Sequence, residues 1–148
     1  MRQSTTDTTN DWEAFAREFG ARWAAPTPEK LCELLQPDVR LIQPAAPIIV
    51  GRENARKMFA ALFAWLPDMH AEVDRSGGGG DVVFIEFRLI ATLGGKQVEW
   101  PVVDRFVLRH NLAAERASFF DPSTLLAAVL RHPTTWPGFL RLRRASGR

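Results

Sequence analysis

The spacing of apolar residues changes period along the chain, and the change divides it in two. Trp12, Phe15, Ala16, Phe19 and Trp23 recur at three- and four-residue steps, which predicts an amphipathic helix with one aromatic face. Asn10 followed by Glu13 has the form of its start. Pro26-Thr27-Pro28 ends that helix and opens a short second one through Leu35, with Thr27 as cap and Pro28 at the first helical position. Pro37-Asp38 turns the chain into a strand, Val39 to Gln43, closed by Pro44 and Pro47. Gly51 opens a third helix, whose apolar stripe is Ala55, Met58, Phe59, Leu62, Phe63 and Leu66, and Pro67-Asp68 stops it.

From there the period falls to two. His70–Arg75 reads as a strand, Gly77–Gly80 as a loose turn and Asp81–Leu93 as a long strand. Gly94-Gly95 is a tight hairpin turn into a second long strand, Lys96–Arg109, and His110-Asn111 turns again into a strand ending near Phe120. Asp121-Pro122 begins one more helix, through about Arg131. Helices first and an antiparallel meander afterwards define an α+β domain, with the sheet covered by the N-terminal helices.

The two-residue turn also fixes register. Leu93 faces Lys96, and stepping outward Ile85 faces Asp104. One face of the ribbon then carries Val83, Ile85, Phe87, Leu89 and Ala91 opposite Val98, Trp100, Val102, Asp104 and Phe106. Glu86, Arg88, Thr92, Glu99 and Arg105 share the other face, where cross-strand pairing suits them. The first face is apolar except for Asp104. A lone carboxylate there is costly unless it stays protonated or finds a cation. A carboxylic acid held neutral can donate a strong hydrogen bond to a substrate oxygen or shuttle a proton. The alternative is an ion pair with Arg116 on the next strand, provided that Arg116 shares a face with Ser118 and Phe120.

Composition narrows the chemistry. At 148 residues the chain is one domain by length, long enough to bury a core with room for a cavity. Its single cysteine, Cys32, excludes an intramolecular disulfide and a cysteine zinc cluster, and the absence of tyrosine excludes any mechanism that needs a phenol. His110 and His132 have no ligating neighbours at useful spacing, and Gly77–Gly80 precede no phosphate-loop lysine; neither a metal nor a cofactor is expected. No apolar run is long enough to span a membrane and MRQSTTDTTN carries no secretory stretch, so the expected location is cytoplasmic. The net charge of +2 hides an asymmetry: residues 133–148 hold Arg141, Arg143, Arg144 and Arg148 with no acid, leaving a mildly acidic body. Without interleaved aromatic repeats this tail reads as a solvated end rather than a nucleic-acid or lipid site. The resulting organisation is a flexible N-terminus over 1–10, a domain over 11–132 and a basic C-terminal tail over 133–148.

The helix–helix opening, ELLQPDVRLIQP, Gly51 at the third helix, LPDMHAEV, GGKQVEWPVVDRF and FFDPSTLL together resemble the SnoaL-like branch of the nuclear-transport-factor-2-like superfamily, over about residues 11–130. The resemblance implies a cone-shaped curved antiparallel sheet and a membership that spans polyketide cyclases, ketosteroid isomerase, limonene epoxide hydrolase, scytalone dehydratase and proteins that only bind or dimerise. Asp104 falls on the isomerase acid that forms half of its oxyanion hole. The tyrosine of that site corresponds to Phe19 and the base aspartate to Gln43, which cannot take a proton from carbon. The hydrolase's Arg-x-Asp strand pair falls on Ile85 and Phe87, and its last aspartate on Ser118. Every familiar site is therefore incomplete.

The expected function is cofactor-independent acid/base chemistry of cyclase, isomerase or dehydratase type on an apolar, oxygenated small molecule. Asp104 is its acid, and His70 is its proton partner if it faces the cavity rather than the rim. Trp100, Gln43, Phe19, Phe59, Phe87, Ser118, Phe120 and Val102 are the expected substrate contacts. Asp121 is expected to cap its helix rather than to catalyse. The resemblance further implies a homodimer through the outer sheet face, with neither nucleic acid nor membrane as partner. The alternative is a ligand-binding or dimerisation module without catalysis, which would follow if Phe15, Phe19, Phe59 and Phe63 filled the cone.

Overall fold

A computed structural model describes residues 10–147. Helices α1 (Trp12–Ala24) and α2 (Pro28–Cys32) lead into strand β1 (Leu35–Ile42), the short β2 (Ile49–Val50) and helix α3 (Arg52–Trp65). Strands β3 (His70–Gly79), β4 (Val82–Leu93), β5 (Lys96–Arg109) and β6 (Leu112–Phe119) follow, and helices α4 (Pro122–Arg131) and α5 (Trp136–Ser146) close the chain. The strands form one curved six-stranded sheet in the order β2-β1-β6-β5-β4-β3. All neighbours are antiparallel except β1 and β6, which run parallel. The α+β architecture is the one the change of period predicts.

The central hairpin has the expected register: Leu93 pairs with Lys96, Ile85 with Asp104 and Phe87 with Val102. Gly94 and Gly95 turn with φ of 59° and 77°, a conformation that L side chains resist. Helix α1 lays its aromatic face on the inner side of this ribbon. The Phe15 ring lies 4.9 Å from that of Phe106, and Phe19 lies 5.1 Å from Phe87.

Boundaries move where side-chain hydrogen bonds compete. The cap of α1 is Asp11, whose Oδ1 accepts from the Ala14 amide at 2.9 Å. Asn10 instead ties the start of the domain to the far hairpin, its Oδ1 accepting from the Asn111 amide at 2.8 Å and its Nδ2 donating to the Leu108 carbonyl at 3.3 Å. The rest of the expected flexible N-terminus lies outside the described residues. Helix α2 stops at Cys32, because the chain from Leu35 pairs with β6, and Pro37 sits in an irregular stretch of that pairing where its missing N–H costs little. The glycine run is not a loose turn. Gly77–Gly79 continue β3 opposite Phe84, Val83 and Val82, leaving the turn to Gly80 and Asp81. A Cβ on Gly78 would collide with the Val82 carbonyl and stand 3.2 Å from the Trp12 ring, so glycine lets this edge strand pass beneath α1.

The basic tail differs most from expectation. It is not a solvated end: after a short turn at Pro133–Thr135 it forms α5, which lies against α3. The Phe139 and Trp65 rings meet at 5.4 Å, and Gly138 passes so close that a Cβ there would be 2.5 Å from Trp65 Cδ1. Phe139 and Leu142, three residues apart with Gly138 beside them, form the seated face, and arginines 141, 143 and 144 occupy the outward turns.

Replacing Gly138 by valine would therefore push α5 off Trp65. The expected result is increased acrylamide quenching and a red shift of tryptophan emission, with unfolding still cooperative and stability lower by about 1–3 kcal/mol. Unchanged quenching would mean that α5 does not rest on Trp65.

Candidate active site

The sheet and helices leave one apolar cavity of about 120 Å³ between the inner face of β4–β6, the face of α3 and the seated α5. It approaches the roughly 150 Å³ of an apolar cavity known to admit benzene, so one planar ring fits inside. Trp23, Phe59, Phe87 and Trp100 wall it with aromatic surface, Leu125 and Leu142 contribute from the C-terminal helices, and Gln43, Asp104, Arg116 and Ser118 supply polar atoms.

Asp104 is positioned by register alone. Ile85 on one side and Ser118 on the other stand directly opposite it, in a row across three strands. The carboxyl is 2% exposed. Arg116, two residues before Ser118, projects to the same face and is 7% exposed. Its Nε lies 3.9 Å from Asp104 Oδ2, beyond hydrogen-bond distance, and its guanidinium carbon is 5.8 Å from the Phe59 ring centroid. Burial pushes the Asp104 carboxyl above the usual carboxylate range; the nearby Arg116 charge and the Ser118 hydroxyl oppose that shift without cancelling it. The two readings of Asp104 thus merge: Arg116 is its neighbour, yet the contact is too loose to offset the effect of burial in full.

Unmet hydrogen bonds gather here. Among the described residues the buried side-chain atoms without a partner are Trp65 Nε1, Asp104 Oδ1, Arg116 Nε and Arg105 Nε. The first three belong to residues that line the cavity. Buried polar groups are nearly always satisfied in folded proteins, so a cluster of exceptions around one hollow sets it apart from the rest of the interior.

Seven of the expected contacts, Trp100, Gln43, Phe59, Phe87, Ser118, Phe120 and Val102, do line the cavity. Two of the expected site residues do not. His70 pairs with Ile90 on the outer side of the sheet, and its Nδ1 lies 3.1 Å from the Asp68 carbonyl; strand alternation turns Ala71 inward in its place. Phe19 is packed solid between Trp23, Phe87 and Phe106 beside the cavity. It fills part of the cone without touching the hollow. Asp121 caps α4, its Oδ1 accepting from the Ser123 amide at 2.9 Å. The wall from α5, with Leu142 and Ser146, was missed, although the three-residue spacing of Trp136, Phe139 and Leu142 carried a signal for it. Among the described residues no three His, Cys, Asp or Glu converge as a metal site, and no helix is long and apolar enough to cross a membrane.

Solved structures place this architecture. A protein from Catenulispora acidiphila with a ketosteroid isomerase-like fold, in complex with trimethylamine, superposes with a TM-score of 0.70 at 20% identity, covering 77% of this chain and 90% of its own. A candidate SnoaL-like polyketide cyclase from Jannaschia sp. CCS1 gives 0.66 at 24% identity, covering 86% and 97%. TerC, co-crystallised with polyporic acid, gives 0.71 at 16% identity, covering 80% and 97%. At such identities the likeness is one of fold, and it defines a ketosteroid isomerase-like α+β protein. No curated protein is similar to the chain in sequence. Residues 16–116 match the family model of the SnoaL-like domain, and the chain belongs to that family.

The raised Asp104 has a consequence for stability. Between the ordinary carboxylate value and that of Asp104, the folded state holds a proton that the unfolded state has released, so stability falls as pH rises through this window. Below the window both states are protonated and nothing is lost. Asp104→Asn is therefore expected to gain on the wild type as pH rises from about 4, levelling off above the folded-state value. Urea unfolding of both proteins across this range measures the difference; a difference that is flat in pH would show that burial does not dominate at Asp104.

Proposed function

We propose that this SnoaL-like protein is a cofactor-independent enzyme of cyclase, isomerase or dehydratase type, acting on an apolar, oxygenated small molecule. The observation that carries this reading is the buried Asp104 carboxyl, its Oδ1 without a hydrogen-bond partner, at the wall of an apolar cavity of about 120 Å³. In its neutral form the carboxyl gives a proton to a carbonyl or hydroxyl oxygen; as the carboxylate it takes one back, and the enzyme ends unchanged. Gln43 and Ser118 orient the oxygen by hydrogen bonding, and the aromatic walls exclude water, which strengthens every polar contact inside. The small molecules held by the Catenulispora protein and by TerC support a small organic ligand for this fold. Dimerisation through the outer sheet face belongs to the same reading, supported by Phe84 and Phe119, which stand exposed on that face.

One feature favours the second reading, a binding module without catalysis. Apart from Asp104 and Arg116, none of the residues lining the cavity is charged or titrates near neutrality, so any proton cycle must run through a single carboxyl.

Enolisation separates the two. With 1-indanone or 2-tetralone in D2O, the wild type is expected to exchange the protons next to the carbonyl at least about 100-fold faster than Asp104→Asn, followed by proton NMR. Equal rates for the two proteins would leave the site to ligand binding alone.

A further inference from the structure

Arg116 is unexplained by a proton cycle through Asp104. A guanidinium stays charged at any physiological pH, and this one is 7% exposed, in a mostly apolar wall that includes Phe59, Phe87, Val102 and Trp100. Its nearest carboxylate is 3.9 Å away with no hydrogen bond between them, and its Nε has no partner among the described residues. Ion pairs that serve structure look different in this molecule: on the outer face Arg88 reaches Glu99 at 2.8 Å, Glu72 at 2.9 Å and Asp74 at 3.1 Å. Among the described residues Asp104 is the only acid that lines the cavity with Arg116; Trp23 from α1, Met58 and Phe59 from α3, and Leu142 and Ser146 from α5 line it as well, and Leu41 and Phe106 flank Arg116 on the neighbouring strands.

We infer that the ligand of this cavity is a ring-bearing apolar molecule with one anionic oxygen, a carboxylate or an enolate, and that Arg116 is the residue that recognises it. An oxygen placed between the Arg116 nitrogens and the Asp104 carboxyl receives a charge-assisted hydrogen bond from the first and a hydrogen bond from the second. It supplies the counter-charge that the fold withholds, while the aromatic walls take the ring. Because the arriving anion disfavours a second negative charge beside it, Asp104 binds a proton as the ligand enters, in the range where it titrates. The inference rests on the cavity being the site, as in the proposed function, and is independent of whether catalysis follows.

Three probes of one shape test it on the full chain: benzoate, neutral benzamide and cationic benzamidine, titrated by tryptophan emission or ligand NMR. Benzoate is expected to bind about ten- to a hundredfold tighter than benzamide, with benzamidine weakest. Arg116→Met is expected to bring benzoate and benzamide to equal affinity. Calorimetry in buffers of different ionisation heat is expected to show proton uptake with benzoate in the wild type and none in Asp104→Asn. Benzamide binding as tightly as benzoate in the wild type would overturn the inference, whether or not the Arg116 variant folds, and would leave the cavity as a site for neutral molecules. Failure of all three probes to bind would remove the cavity as a site, and the proposed function with it.

Discussion

The interior is organised around a contact that is close without being closed: Asp104 and Arg116, an acid and a cation 3.9 Å apart, both buried and without a hydrogen bond between them. Protein interiors tolerate buried charge when it is paired tightly, because desolvation of each ion is otherwise unpaid by Coulomb attraction. Here the pair is held apart by the sheet. Asp104 lies opposite Ser118, Arg116 lies opposite Phe106, and the diagonal between them is longer than a hydrogen bond. Register thus keeps an acid neutral-leaning and a cation unsatisfied in one place. A tighter pair would be a better structural element and a poorer site.

The aromatic residues decide why there is a place for that pair to face. Phe15 and Phe19 from α1 meet Phe87 and Phe106 and fill one part of the cone completely. On the other side Trp23, Phe59 and Phe63 pack with each other edge-on or stacked, at 6.1 to 6.5 Å, and Trp23 also stacks on Phe87 of the sheet. The hollow that remains is bounded on its outer side by α5. Leu142 and Ser146 of that helix complete the wall, and without it the Trp65 indole and the cavity would face solvent.

Charges on the opposite side of the sheet follow a different rule. Arg88 is shared among three carboxylates, and Arg105 and Arg40 meet at Glu115. These groups are largely exposed, so screening leaves each pair a small contribution to stability. Their effect is on pairing: opposite charges directly across or diagonal on neighbouring strands favour the register that also places Asp104 inward.

Local rules acting over two to four residues were readable in the sequence. The Gly94-Gly95 turn fixed the hairpin register, and with it the inward face and the burial of Asp104. Alternation along β4 and β5 named Phe87, Val102 and Trp100 as lining residues, and Thr27 and Asp121 marked helix starts by their side-chain oxygens. Other features depended on partners distant in the chain. The facing of His70 is not one of them: Ala71 and Val73 alternate with His70, Glu72 and Asp74, a local pattern that already turns Ala71 inward. The glycine run became strand by pairing with Phe84, Val83 and Val82, and at Gly78 alone a Cβ would strike the Val82 carbonyl, with the Trp12 ring 3.2 Å away. The tail folded back because Trp65 and Gly138 fit one another, and the looseness of the Asp104–Arg116 contact is a distance between strands. Composition and periodicity determine which side chains are driven inside; only packing decides which of them touch and which leave a space, because close contact is set by the shapes of residues that the chain brings together from far apart.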